Sequence, residues 1–424
     1  MKFIKILILA AILSLAAACA KTPTPENPAL LTIFGDVNRV FSENSKDLGT
    51  LNDFMSIHPE IKVKVIPEYD EWQIHEKSMK IMKDPAAEQP DIIEMPGSWV
   101  ADFTHDNLLL PIGSWFNKLS PTDRSDYLKP LIAGYSKDDE LYGLPALVGL
   151  QYLYARKDLL PESGVPHTLD ELIATSRFIK EKFGIQGIIF PSKGLNLYKF
   201  YYTLLQIELH GQKSANRLEA HTSAYKNFTI LVRENQPDYD KYDHTTAEGE
   251  FRSGRAGLSI NGNYVWFLLS QSAEVGFPVH PKDVLVDFLP VANESDRKQN
   301  YIWTRGYAVN NRTKHPEQAL QLLKFLTSQR SDFYRLKNKY ILPARKSAAV
   351  YGANLPAMSP KPAQAMYEQG EQAPEIVKVN QSTPGWYGAA SATLELLKES
   401  LAKDIAPESV AERMIQIENG LANK

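Results

Sequence analysis

The chain has 424 residues, of which 43% are hydrophobic, enough to bury a sizeable core in two or three domains. Its 47 basic and 50 acidic side chains leave a formal charge of −3, and the absence of a basic excess removes the electrostatic footprint that nucleic acid requires. Cys19 is the single cysteine, which excludes an intramolecular disulfide and any thiolate ligand in the body of the chain, and the nine histidines lie without metal-ligand spacing.

At the start, Lys2 and Lys5 precede an uncharged apolar run from Ile6 to Ala18, the layout of a secretory signal. The run is shorter than the roughly 20 apolar residues a membrane span needs. It ends in Leu15-Ala16-Ala17-Ala18-Cys19, which resembles a bacterial lipobox and implies cleavage after residue 18 and acylation of Cys19; Ala16 stands where a large aliphatic residue is usual. Residues 19–29 carry Pro23, Pro25 and Pro28 and read as a semi-stiff tether. The expected location is the cell envelope, outside the cytoplasm, with a lipid anchor in a membrane.

Beyond the tether, short β-rich runs alternate with helical patterns, the grammar of α/β lobes. Leu31 to Phe34 reads as a first strand, and Leu48, Leu51, Phe54 and Met55 fall at helical spacing until His58-Pro59. Ile61, Val63 and Val65 alternate with Lys62 and Lys64 as a second strand, and Asp91 to Met95 fits a buried third. Thr168 and Glu171 form a capping box for a helix whose inner face runs Leu172, Ile179, Phe183 and whose stop is Gly184. A strand from Ile185 to Phe190 follows. Pro316 opens a helix with the stripe Ala319, Leu322, Leu323 and Leu326, and Pro407 opens another with Val410, Met414, Ile417 and Leu421.

Several segments, in order along nearly the whole chain, resemble the extracellular solute-binding proteins of ABC transporters, the large family that includes maltose-binding protein. They are Leu31-Thr32-Ile33-Phe34-Gly35-Asp36; His58-Pro59-Glu60-Ile61-Lys62-Val63; Pro90-Asp91-Ile92-Ile93 with Asn107-Leu108-Leu109-Leu110-Pro111-Ile112, where Asn107 replaces a commoner glycine; and Tyr142-Gly143-Leu144-Pro145 with Tyr154-Ala155-Arg156-Lys157-Asp158-Leu159. Phe251 to Gly262, Gly306-Tyr307-Ala308-Val309 and Leu342-Pro343-Ala344-Arg345-Lys346-Ser347 complete the set. The resemblance implies a periplasmic-binding-protein-like α/β fold: two lobes, a hinge and a ligand cleft between them. Lobe I would comprise residues 30–142 and 300–344, and lobe II residues 146–296 and 345–424. It further implies a monomer that captures a small solute, most simply a sugar or oligosaccharide, and delivers it to permease subunits. A sensor that docks on a membrane receptor is the alternative.

No enzyme signature is present: no G-x-S-x-G elbow, P-loop, H-E-x-x-H or G-x-G-x-x-G. No cofactor or metal is expected. A sugar site wants aromatic platforms and planar polar side chains, and the chain has six tryptophans and twenty tyrosines. By resemblance to the maltose binder, Trp386 in Gly385-Trp386-Tyr387-Gly388 and Tyr264 in Asn261-Gly262-Asn263-Tyr264-Val265-Trp266 take the places of stacking tryptophans, with Trp266 beside them. Asp36, Ser98, Trp99, Gln151, Tyr198 and Tyr201 are further ligand-binding candidates. Met95 and Ser98 stand where that relative has an aromatic and an acid, which argues against maltodextrin. Arg305, in Trp303-Thr304-Arg305-Gly306, could clamp an anionic ligand bidentately or pair with a carboxylate of its own lobe.

Overall fold

The computed structural model describes residues 28–36, 46–69, 71–211, 216–296, 302–339, 341–353 and 385–422. The signal segment, Cys19 and nearly all of the tether lie outside the described residues.

The first β-α-β unit forms as its pattern predicts. Strand β1 (Ala29–Gly35) pairs in parallel with β2 (Ile61–Pro67), Leu31 opposite Val63 and Ile33 opposite Val65. Between them, α1 (Leu51–Ile57) begins after Thr50, whose hydroxyl accepts the Asp53 N–H. That cap corrects the periodicity: Leu48, expected on the inner face, lies before the helix and is 62% exposed. Helix α2 (Glu71–Lys83) leads to β3 (Ile92–Pro96), buried at every position. Asn107 has φ 54°, the left-handed conformation that asparagine tolerates better than most residues, which is how it serves in place of glycine.

One sheet carries both lobes. Apart from a small hairpin, β4 (Ser136–Lys137) and β5 (Glu140–Leu141), the strands are β6 (Gly143–Arg156), β7 (Gln186–Ile189), β8 (Ala256–Gly262), β9 (Val284–Asp287) and β10 (Ile302–Val309). They run in the order β2-β1-β3-β10-β6-β8-β7, with β9 also on β6. The long β6 is the shared element. From Gly143 to Leu150 it pairs antiparallel with β10, and from Gln151 to Arg156 with β8 and β9. Its burial is nearly continuous, as expected of a strand covered on both faces.

Helices α3 (Leu169–Phe183), α4 (Leu195–Gly211), α5 (Arg217–Asn235), α6 (His244–Arg252) and α7 (Tyr264–Ser270) surround the β7-β8-β9 end, joined there by α9 (Trp386–Lys403) and α10 (Pro407–Ala422). Helix α8 (Pro316–Leu326) packs on β10. The predicted capping box is present in α3, with Thr168 Oγ1 accepting the Glu171 N–H and Glu171 Oε2 accepting the Thr168 N–H, both at 3.2 Å. Gly184 ends the helix at φ 68°, a conformation a β-carbon would strain. Phe183 is a second correction: it sits one residue before that turn and is 38% exposed rather than on the inner face.

Three buried clusters follow from this arrangement. Lobe I packs around Leu31, Ile33, Phe54, Ile93, Phe103, Tyr307 and Leu323. Lobe II packs around Leu172, Ile179, Phe190, Phe228, Leu258, Leu397 and Met414. Where β6 passes between them, Val148, Leu150, Tyr152, Val265 and Leu342 form the third.

Candidate functional site

On the lobe I side, charged groups gather where β1 and β3 end and β10 runs antiparallel past them. Glu94, an acid within the otherwise apolar β3, is 2% exposed, and its Oε2 accepts the Asp36 N–H at 2.7 Å. Arg305 of β10 lies opposite Pro96 and is 4% exposed. Its guanidinium stands 3.5 Å from Glu71 Oε2, at the start of α2, and 3.7 Å from Glu94 Oε1. Burial opposes the charge of Arg305, but the carboxylates of Glu94, Glu71 and Asp36 outweigh it and hold the guanidinium above its ordinary pKa.

Lobe II meets this cluster through α4. Lys199 Nζ donates to Glu71 Oε2 at 2.9 Å, so one carboxylate is shared between cations of opposite lobes. One turn on, Thr203 Oγ1 lies 2.9 Å from Gln151 Oε1 of β6. Beside Gln151 in the sheet, β8 ends in Asn261 and Gly262. The Tyr264 hydroxyl donates to Asn261 Oδ1 at 2.8 Å and lies 3.2 Å from His244 Nδ1. A β-carbon on Gly262 would come within 2.8 Å of the Tyr264 ring, so glycine is what lets that ring fold back over the strand end. Solvent reaches His244, yet the surrounding protein and then the Lys199 charge push its pKa to about 4, leaving a neutral imidazole. The Tyr264 hydroxyl is pushed well up by burial first and Glu248 second. Asn261 is 1% exposed, and its Nδ2 has no hydrogen-bond partner among the described residues. The lobe junction thus combines internally paired charges with neutral hydrogen-bonding groups and one half-buried aromatic ring.

The sequence candidates divide accordingly. Asp36, Gln151, Tyr264 and Arg305 come together at the junction. Half-buried Ser98 sits in the 3₁₀ turn Gly97–Trp99 that follows β3. Trp99 is corrected: it is 0% exposed in the lobe I core, edge-on to His75 at 4.8 Å and stacked near Phe103 at 6.2 Å. Tyr201 is corrected likewise, at 1% exposed with its hydroxyl 2.8 Å from His221 Nδ1 inside lobe II. Both point inward because they lie on the core-facing side of their elements. Tyr198 is 7% exposed and packs against Tyr202 in the same core. Trp266 is half-buried against the junction cluster. Of the two roles open to Arg305, the structure has the pairing with carboxylates of its own lobe: its guanidinium already faces two of them and is not an open anion clamp. Trp386 begins α9, and its side chain lies outside the described residues.

Glu71, Glu94, Lys199, Asn261 and His244 were not singled out from the sequence. Only Glu94 carried a usable signal, an acid flanked by Ile92, Ile93 and Met95 in a strand that had to be buried. Among the described residues no group of three potential metal ligands occurs, and no helix is long and apolar enough to cross a membrane.

The profile of the bacterial extracellular solute-binding proteins matches residues 50–366. The chain belongs to that family. This solute-binding protein is 25% identical over 396 residues to the galactooligosaccharide-binding protein of Bacillus subtilis (strain 168), covering 89% of this chain and 88% of that one. Its fold matches that of the maltose-bound MalE3 of T. maritima with a TM-score of 0.75 at 20% identity, covering 93% of this chain and 100% of the other. A chitin oligosaccharide binding protein matches with a TM-score of 0.73 at 14% identity, covering 94% and 100%. The periplasmic-binding-protein-like α/β fold expected from the sequence is thereby shown, and the family gives the role: an extracellular solute-binding protein, whose work is binding rather than catalysis.

Proposed function

We propose that this solute-binding protein captures an uncharged carbohydrate, an oligosaccharide, between its lobes and hands it to the permease of an ABC importer while tethered by an acylated Cys19. The observation that carries the reading is the state of the charges at the junction. Arg305 is matched by Glu94 and Glu71, and Lys199 by Glu71, so neither of these two cations is left unmatched to select an anion. The neutral groups beside them, Asn261, Gln151, His244 and the Tyr264 ring, have the donors, acceptors and apolar face that a sugar presents in complement. Relatives whose names specify galactooligosaccharide, maltose and chitin oligosaccharide support the same class. The lipid anchor rests on the lipobox-like segment alone. Replacing Cys19 with Ser should release the protein into the soluble fraction and abolish palmitate incorporation.

Thermal-shift screening tests the ligand class. A ligand that binds only the native state stabilises it by RT ln(1 + [L]/Kd), about 2.7 kcal/mol at a hundredfold excess over Kd. Galactooligosaccharides, maltodextrins and chitooligosaccharides should include a stabiliser, while oligogalacturonates, peptides and polyamines should not. A shift with any of the latter and none with the neutral sugars would sink the proposal.

A further inference from the structure

The first turn and a half of α2, on lobe I, touches lobe II at two separate places. Glu71 receives Lys199 of α4 at 2.9 Å. One residue on, Trp72 lies 3.7 Å, centroid to centroid, from the ring of Tyr387 in the first turn of α9. Three residues further, on the same helix face, His75 stacks on that tyrosine at 3.9 Å with only 12° between the planes. His75 is itself held by Asp102, whose Oδ2 lies 3.2 Å from His75 Nε2 and whose Oδ1 accepts the Gly385 N–H just ahead of Tyr387. Tyr387 is thus gripped by an aromatic slot of the opposite lobe. The rest of α9 packs into the lobe II core through Leu394, Leu396 and Leu397.

We propose that this face of α2 is a latch between the lobes, which holds them together before any solute arrives and sets how long a solute is retained, without itself recognising one. The lobes share β6, but nothing in β6 requires α2 to meet α4 and α9, so these contacts exist only while the lobes are closed. A contact present in one of two conformations shifts their ratio by its whole free energy. Both halves of the latch act on the same motion, so their effects on the closed-to-open ratio multiply. In a closed protein they appear as slower release rather than faster capture. The latch also bears on Trp386, because Tyr387 and Gly385 flank that residue in the chain and fix the backbone there. The inference rests on the two-lobed solute-binding fold and not on the carbohydrate assignment.

The test is an interlobe distance measured on ligand-free protein. In a Cys19→Ser background, spin labels at Lys118→Cys on lobe I and Glu181→Cys on lobe II report the distance distribution by pulsed electron resonance. The parent protein should show a closed component without added solute. Lys199→Met, which leaves Glu71 paired with Arg305, should lower the closed-to-open ratio roughly two- to fivefold. Trp72→Leu and Tyr387→Leu, acting from opposite lobes, should each lower it by about three- to tenfold, and Tyr387→Phe should preserve it. Because Tyr387 also touches the lobe II core, Trp72→Leu keeps the test decisive if Tyr387→Leu fails to fold. A parent protein that is wholly open, or a distribution that Lys199→Met and Trp72→Leu both leave unmoved, would overturn the latch. Failure of the sugar screen would leave this result untouched.

Discussion

Replacing Arg305 by methionine separates a structural arginine from a ligand-clamping one. The substitution keeps most of the side-chain volume and removes the charge. In the structure the guanidinium is 4% exposed, 3.5 Å from Glu71 and 3.7 Å from Glu94. At an effective dielectric of about 20, each contact amounts to about 4–5 kcal/mol of attraction, much of it offset by desolvation. What decides the outcome is the group left behind. Glu94 is 2% exposed and would lose its cation, and stranding one partner of a buried pair costs about 3–5 kcal/mol. Urea unfolding of Arg305→Met at neutral pH should therefore show a loss of that size. Binding of a neutral sugar, measured at a temperature where the variant is folded, should weaken far less than stability does. A loss under about 1 kcal/mol, together with abolished binding in Arg305→Met of an acidic ligand that the parent protein binds, would show that Arg305 serves the ligand instead.

Further outcomes follow from other groups. Glu208 of α4 is 7% exposed with Asn227 Nδ2 at 3.0 Å, and burial raises its pKa from 4.5 to about 7. The folded state then holds a proton that the unfolded chain releases near pH 4.5, so stability falls as pH rises from there to about 7; Glu208→Gln should recover up to about 3 kcal/mol at pH 8 and almost nothing at pH 4.5. Equal effects at both pH values in urea titrations would refute this account of Glu208. Trp99→Ala should destabilise by about 3–5 kcal/mol through the cavity it leaves, and a variant that melts normally but binds poorly would restore Trp99 to the cleft. Tyr264→Ala should cost roughly tenfold or more in affinity by titration calorimetry while the far-ultraviolet spectrum stays unchanged, and Tyr264→Phe should retain most of the binding. Unchanged affinity in Tyr264→Ala would remove that ring from the site.

Local chemistry was the legible part of this fold. Thr168, Glu171 and Gly184 announce a helix start and stop because capping involves neighbours three or four residues apart, and the structure has all three in those roles. Alternating Ile61, Val63 and Val65 likewise announce a strand. Periodicity overran at Leu48 and Phe183, since an apolar stripe does not say where a cap interrupts it. The site was harder to see for a different reason. An aromatic residue has the same letter whether it lines a cleft or fills a core, and only the packing of α4 separates Tyr201, bonded to His221, from residues at the junction. Charge pairing was less legible still: Glu71 and Lys199 are 128 residues apart, and no local pattern connects them. Arg305 looked unusual in the sequence, and its partners explain why it is tolerated.

The handover along β6 is seamless, Leu150 pairing with Ile302 of β10 and Gln151, the next residue, pairing with Gly262 of β8. No slack residue separates the two ladders, so loss of either lobe's strands would fray the other's. The two bodies should consequently melt as one cooperative unit in calorimetry, and a gene cut between residues 150 and 151 should yield fragments that fold only when expressed together. In that respect the molecule is less a pair of domains joined by a linker than a single sheet with a waist.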